Sequence, residues 1–401
     1  MADREYINEQ WVMKRKNLNH GLEPLKNVLN KYGNPQDKIR CIHVAGTNGK
    51  GSTCNYLKDI LVSKGYKVGM FTSPHLITHR DRIRINDSYI SEDVFHHYLL
   101  KHFDEIEENH LGMFEIDTLI AFEWFEKEKV DYAIVECGLG GRLDNTNVIT
   151  HPQLCIITSI GFDHMNLLGN RIQQIAYEKA GIIQPNTTCV IGNVNDEAYN
   201  IIQKRAHRVK GKVIPFGRYF PITKNTFCFE SDTYEISTNA IYQMHNASLA
   251  LKSAELLGID IHHIDVHQTV QNSLWKGRFE TICDDPRVIV DGAHNEEGMK
   301  ALCESMKGLE RPIVCVYSAL KDKQVHQMAY LLKEHCDHLI VTEFKNERAD
   351  SAEDLFIDGC EVIKEAENAI HTAMQLCKNG TVVITGSLYF VSFVRSFLKK
   401  D

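Results

Sequence analysis

The sequence predicts an α/β fold built on a parallel sheet with helices on both faces. Three observations predict it. Short β-branched runs alternate with helical patterns along most of the chain, the signature of strands crossing over through helices. The apolar runs are nearly continuous rather than alternating, as strands buried on both faces require. The chain has 401 residues, 43% of them hydrophobic, which suffices for two domains or one large one.

In chain order, strands are predicted at Arg40–Val44, Lys67–Phe71, Tyr132–Glu136, Cys155–Ser159, Thr188–Ile191, Val288–Val290, Ile313–Tyr317, His338–Val341 and Thr381–Thr385. Helical patterns follow at Ile172–Ala180, Asn195–Ala206, Asn246–Leu257, Glu296–Met306 and Ala366–Leu376. After the first strand, Cys54, Leu57 and Leu61 recur at i, i+3 and i+7, one face of a helix. Lys212–Thr238 has turn residues and local alternation and reads as a small antiparallel element inserted before the helix near Asn246. The acidic, proline-marked stretch Cys283-Asp284-Asp285-Pro286 reads as a boundary. It divides the chain into residues 1–285 and a smaller doubly wound portion, 286–401.

Composition narrows the function classes. A net charge of −8 without a long basic run argues against a nucleic-acid partner. Twelve cysteines are scattered with no Cys-x-x-Cys pair, so neither a disulfide framework nor a zinc ribbon is indicated. Buried free thiols in a reducing cytoplasm are the expectation. Met1–Lys16 is polar and lacks the apolar core of a signal peptide, and no run reaches the length of a membrane span.

The most informative motif is Gly46-Thr47-Asn48-Gly49-Lys50-Gly51-Ser52-Thr53, which sits between the first strand and the first helix. Strand, glycine-rich turn, lysine, hydroxyl residues and helix form the layout of a phosphate-binding loop. Amides at a helix start lack intrahelical acceptors and can hold phosphate oxygens, and Lys50 adds a cation. The expected ligand is ATP or a similar nucleotide. The spacing departs from the common pattern: two residues, not four, separate the glycines, and Gly51 stands where a magnesium-binding hydroxyl would be. The other reading is a tight turn ahead of an ordinary helix.

Three further strands end in polar residues. Glu136 closes a strand and precedes the glycine-rich loop Gly138-Leu139-Gly140-Gly141-Arg142-Leu143-Asp144. Ligand crevices of open α/β sheets lie at C-terminal strand ends, so Glu136 is placed to meet a metal held by phosphates. Capping its own loop is the alternative. His164 follows the strand ending at Ser159 and is a candidate imidazole ligand or a plain surface histidine. Ser73, after a third strand, can supply the hydroxyl that Gly51 withholds. By local physics, Lys179 is a helix-terminal cation favoured by the dipole, with the helix closing at Gly181. Asp291 ends a strand ahead of Gly292-Ala293-His294-Asn295; the loop suits a ribose or base, and Asn295 suits a helix N-cap.

Together these segments resemble the folylpolyglutamate synthase and dihydrofolate synthase branch of the Mur ligase superfamily. The resemblance covers nearly the whole chain. It runs through Gly21-Leu22-Glu23, His43–Thr53, Thr72-Ser73-Pro74-His75-Leu76, Glu136–Asn147, Asp163-His164, Glu178-Lys179-Ala180-Gly181, Gly277-Arg278-Phe279-Glu280, Asp291–Asn295 and Gly386-Ser387-Leu388-Tyr389. It implies a Mur-ligase-like fold: a phosphate-loop ATP-binding domain followed by a smaller Rossmann-like glutamate ligase domain. The reaction it implies joins L-glutamate to the carboxylate of a folate or dihydropteroate, with ATP cleaved through an acyl phosphate. Lys50 and Mg²⁺ would neutralise the transferring phosphoryl group. Ser73 and Glu136 would hold a first magnesium, His164 and a carbamylated Lys179 a second. Gly46, Thr47, Asn48, Gly49, Gly51 and Ser52 would line the phosphates. Asn246 would contact adenine, Arg278 the phosphates, and Asp291 and His294 the ribose and base. Pro74, His75, Arg142 and Asp144 would face the pterin-containing substrate. The implied protein is a cytoplasmic monomer.

Some positions depart from the family pattern. Tyr242-Gln243 stands where His-Gln is usual, Lys276 where proline precedes Gly277, and Asp81 where glutamate precedes an arginine. Two other functions compete: a ligase for UDP-linked peptidoglycan precursors, and a nucleotide-driven conformational switch without ligase chemistry.

Overall fold

A computed structural model of the chain describes residues 7–16, 21–321 and 324–399, so residues 1–6 of the polar N-terminal segment lie outside the described residues. Among the described residues, the chain divides into two compact units. One comprises Met1–Arg218 with Asn246–Val270, the other Tyr219–His245 with Gln271–Asp401. All twelve cysteines are free thiols. No helix of the described residues is long and apolar enough to cross a membrane.

The first unit is built on eight strands: β1 Arg40–Ala45, β2 Val68–Phe71, β3 Ile83–Ile85, β4 Ser88–Tyr89, β5 Tyr132–Glu136, β6 Leu154–Ile157, β7 Thr188–Ile191 and β8 Lys212–Pro215. Their order is β4-β3-β2-β5-β1-β6-β7-β8. Strands β2, β5, β1, β6, β7 and β8 run parallel, and β3 and β4 close one edge antiparallel. Central β5 is buried at every residue, which explains its unbroken apolar run. Its Ala133 and Val135 join the cluster containing Ile116, Leu119 and Ile120 of the helix Met113–Lys127. Successive strand residues face opposite sides, so Ile134 meets the other layer. The helix Lys50–Ser63 packs against β1, β2 and β5, burying Cys54, Leu57 and Leu61 as their spacing predicts.

The second unit holds β9 Tyr219–Pro221, β10 Thr226–Phe229 and β11 Asp232–Glu235 in a three-stranded antiparallel sheet. A six-stranded sheet follows, made of β12 Glu280–Asp284, β13 Arg287–Asp291, β14 Ile313–Tyr317, β15 His338–Glu343, β16 Glu361–Glu365 and β17 Thr381–Thr385. Its order is β12-β13-β17-β14-β15-β16, with only β12 antiparallel.

All nine predicted strands form, and the structure corrects their surroundings. Lys212–Pro215 does not belong to the antiparallel insertion: it extends the first sheet as a parallel edge strand. Its exposed ends and partly buried centre carry no continuous apolar run to announce it. Cys283-Asp284-Asp285-Pro286 includes a hairpin turn, because Asp284 pairs with Arg287; the second sheet therefore begins one strand before Val288. The strands that escaped prediction, β3, β4, β12 and β16, lie at or next to a sheet edge and are short or charged, as exposed edges tend to be.

Candidate active site

The phosphate-binding loop leaves the C-terminal end of β1 and enters the helix at Lys50. Gly49 is the N-cap with φ +84°, a left-handed conformation that glycine adopts without strain. A Cβ there would also lie 2.3 Å from Asn246 Oδ1, so this asparagine packs directly on the loop. The strand-end segment Thr158–Gly161 braces the loop from the other side. Thr47 N donates to Ser159 O at 3.0 Å and Asn48 N to Ser159 Oγ at 2.9 Å. Thr158 Oγ1 donates to Asn48 O at 2.6 Å, and Gly161 N to Thr47 Oγ1 at 3.0 Å. The amides of Thr47 and Asn48 are thus held within the protein. The helix-start amides from Gly49 onward have no intrahelical acceptor.

Two lysines converge on one carbonyl. Lys179 Nζ donates to Gly46 O at 2.8 Å and Lys50 Nζ to the same oxygen at 3.1 Å. Lys179 does lie in the last turn of its helix, as its local sequence suggests, but it is 4% exposed and is held by the loop across from it. Burial pushes its pKa down to about 7, and the nearby Lys50 cation pushes the same way, against Cys137, Asp163 and Asp144. Gly181 ends the helix Ile172–Ala180 with right-handed φ −57°. Its lack of a side chain serves close packing: a Cβ would sit 2.3 Å from Arg142 Cβ.

The other strand ends bring oxygen donors alongside. Glu136 is 3% exposed, and Ser73 N donates to its Oε2 at 3.3 Å, joining the two predicted ligands of the first metal. Both Glu136 and Lys50 act on the buried Cys54 thiol, which burial raises well above its ordinary value; Glu136 adds to the rise and Lys50 opposes it. His164 stands at φ +48°, with its amide on Asp163 Oδ1 at 2.8 Å and its ring 3.9 Å from the same oxygen. Asp163 also influences Lys179 electrostatically, so it links the two residues predicted for a second metal. Its position directly before His164 was the available signal. Among the described residues, no group of three or more His, Cys, Asp or Glu side chains is placed to hold a metal alone.

The predicted substrate residues fall into two sets. Pro74 follows a cis peptide after Ser73, and His75 Nδ1 lies 3.3 Å from Arg82 Nη2. Burial, with Arg82 beside it, lowers the His75 pKa to about 4. Arg142 and Asp144 instead hold the glycine loop. Arg142 donates to Glu178 Oε1 through Nε at 3.0 Å and Nη2 at 2.9 Å. Asp144 is buried, accepting from Leu139 N at 2.7 Å and Thr146 N at 3.0 Å. Beneath it, His43 Nε2 meets Thr146 Oγ1 at 2.8 Å, and burial keeps this imidazole near a pKa of about 3.

In the second unit, Asp291 ends β13 and is 2% exposed. It accepts from Phe279 N at 2.8 Å, Ala293 N at 2.8 Å and the Tyr242 hydroxyl. Burial raises its pKa, opposed first by Arg278. Arg278 Nη1 donates to Gly292 O at 3.0 Å, and His294 Nδ1 lies 2.8 Å from the same oxygen. Asn295 caps the next helix through Gly298 N at 2.8 Å. Asp291 is thus the anchor of the loops carrying Arg278 and His294. Sequence reasoning noted Tyr242 only as a departure and missed this contact.

Comparison with known proteins identifies the family. The Mur ligase middle domain matches residues 44–226, and the Mur ligase glutamate ligase domain matches residues 277–388. The dihydrofolate synthase/folylpolyglutamate synthase of Bacillus subtilis is 38% identical over 94% of this chain and 95% of its own length. Escherichia coli FolC in complex with DHPP and ADP superposes with a TM-score of 0.89 at 28% identity, over 100% of this chain and 99% of that one. A bifunctional folylpolyglutamate synthase/dihydrofolate synthase with Mn, AMPPNP and L-glutamate bound gives 0.88 at 27% identity, over 99% and 100%. With this sequence similarity, this fold and these strand-end loops, the chain belongs to the dihydrofolate synthase/folylpolyglutamate synthase family of Mur-type ligases.

Proposed function

We propose that this chain is an ATP-dependent ligase that joins L-glutamate to the carboxyl group of a folate-type acid, either dihydropteroate or a reduced folate. The observation that carries the reading is the convergence of Lys50 and Lys179 on Gly46 O, beside Glu136 and the Ser73 loop. The Lys50 cation beside the helix-start amides suits a polyphosphate that brings negative charge of its own.

The order of events follows from the chemistry of the acid. A carboxylate cannot expel oxide, so the γ-phosphoryl group is transferred to it first. The amine of glutamate then attacks the acyl phosphate and phosphate leaves. Lys50 follows the charge on the transferring group, and the helix-start amides from Gly49 to Ser52 hold the phosphates. Asn246, which packs on Gly49, contacts the nucleoside in this reading. Thr47 and Asn48 contribute by shaping the loop, and Gly46 by offering its carbonyl to the two lysines. Arg278 and His294, on the loops that Asp291 anchors, are further candidates for nucleotide contact. Pro74 and His75 face the acid substrate; Arg142 and Asp144 act on it through the glycine loop.

Hard oxygen donors and few protein ligands fit a divalent cation such as Mg²⁺, which keeps water and takes phosphate oxygens. Ser73 and Glu136 would hold one; it supplies charge neutralisation across the phosphates. His164, Asp163 and a carbamylated Lys179 would hold another. A lysine with a pKa near 7 has much of its amine neutral at pH 7 to 8, the form that adds CO₂ with loss of a proton. A monomeric state belongs to the same reading.

The test is phosphate release from ATP with glutamate and either dihydropteroate or tetrahydrofolate. Release that requires both glutamate and a pterin acid is expected. Release indifferent to them would mark a nucleotide switch, and preference for a UDP-linked precursor a cell-wall ligase.

A further inference from the structure

We infer that Asp117, with His79 and Arg82, is a positioning group for the pterin acid: it fixes His75 in the tautomer whose Nε2–H donates to that substrate. The inference rests on the reading that the Ser73–His75 loop faces the pterin acid. Its evidence is a buried polar chain beneath that loop, on which the proposed phosphoryl chemistry does not draw.

Asp117 lies on the helix Met113–Lys127 and is fully buried, as is the His79 side chain. Its Oδ1 meets His79 Nε2 at 2.7 Å. Its Oδ2 has no hydrogen-bond partner and stands 3.7 Å from Arg82 Nε, which has none either. Arg82 is 4% exposed, and its Nη2 reaches His75 Nδ1 at 3.3 Å. A guanidinium only donates, so His75 Nδ1 accepts and the ring proton resides on Nε2. The order is thus carboxylate, guanidinium, imidazole, and then an N–H donor at the end of the chain.

A purely structural role explains this chain poorly. Burying a carboxylate, a guanidinium and an imidazole is costly, and apolar side chains of similar size fill such a space at least as well. The ion pair also stays open at 3.7 Å, leaving buried polar atoms unsatisfied. His75 is two residues beyond Ser73, whose amide sits on Glu136. Its donor therefore starts two residues from a residue proposed to hold the first divalent cation. The matching ligand group is an acceptor on the pterin acid, a ring nitrogen or a carbonyl oxygen.

The test combines ¹⁵N-histidine NMR with kinetics on the full chain. In the wild-type protein, the resonance lost in His75→Gln should report an unprotonated Nδ1 and a protonated Nε2. Asp117→Asn, and separately the apolar pair His79→Phe with Asp117→Leu, should raise KM for the pterin acid about tenfold and leave KM for ATP unchanged. The apolar pair keeps the core filled, so it carries the kinetic test if Asp117→Asn fails to fold. A wild-type His75 protonated on Nδ1 overturns the inference. So does an apolar pair with wild-type KM for the pterin acid, or one that raises both KM values together. Absence of pterin-dependent turnover in the wild type would instead overturn the proposed function, while the tautomer measurement would stand.

Discussion

The strand ends of the first unit and those of the second hold their charged residues in opposite ways. Around Gly46, two lysine amines share one carbonyl, and Lys179 is driven far from its ordinary pKa. Around Asp291, the carboxylate is met by two amides and a hydroxyl, and Arg278 already has Gly292 O. The first arrangement keeps the Lys179 amine close to neutrality beside the Lys50 cation. The second is closed on itself, a scaffold that presents Arg278 and His294 in fixed positions. The first set of loops is thus left electrostatically unsettled, and the second is preorganised.

The largest effect that could break this contrast is at Lys50. Lys50→Ala should lower kcat/KM by about a thousandfold while circular dichroism stays unchanged. Near wild-type turnover would remove Lys50 from the account of phosphoryl transfer.

Lys179 gives an effect of opposite sign on stability and activity. Its folded-state pKa is depressed, so the burial cost is absent above its ordinary value of 10.5, grows as pH falls, and is complete below about 7. Lys179→Met should therefore lose activity by about a hundredfold or more. In CO₂-free buffer it should also gain stability on the order of 1 kcal/mol at pH 7, fading toward pH 10. Thermal melts across that range check the sign. With ¹³C-bicarbonate, the wild type should show a carbamate resonance that this variant lacks.

At the second site a smaller effect is expected. Tyr242→Phe removes one of three donors to Asp291, so KM for ATP should rise about five- to tenfold with kcat within about twofold. An equal fall in kcat would mean that Asp291 acts on the chemical step. The smallest effect belongs to Arg142, whose side chain is 41% exposed. Arg142→Lys keeps the charge but loses the fork on Glu178, and should raise KM for the pterin acid about two- to threefold with little change in melting temperature.

Legibility differed between sites for the same reason. The phosphate-binding loop could be read because its function needs a local run of small residues with one lysine, and a helix start supplies the rest. Glu136, Ser73 and His164 could be singled out because each follows a predicted strand. Lys179 misled: its neighbours in sequence describe a helix end, and only the approach of Gly46 shows that it is buried. The edge strands were missed because exposed edges carry charge instead of apolar runs. Asp117 was not singled out at all, since on an apolar helix nothing local marks it as the partner of His79 and Arg82.

By itself, the sequence determined the α/β class, the nine central strands and the nucleotide loop, because hydrophobic periodicity and glycine-lysine spacing act over a few residues. Tertiary structure alone decided which polar and charged groups meet: Lys50 with Lys179, Asp291 with Tyr242, and Asp117 with Arg82 and His79. Those pairings join residues distant in the chain. Their energies depend on burial and separation, which only the folded chain defines.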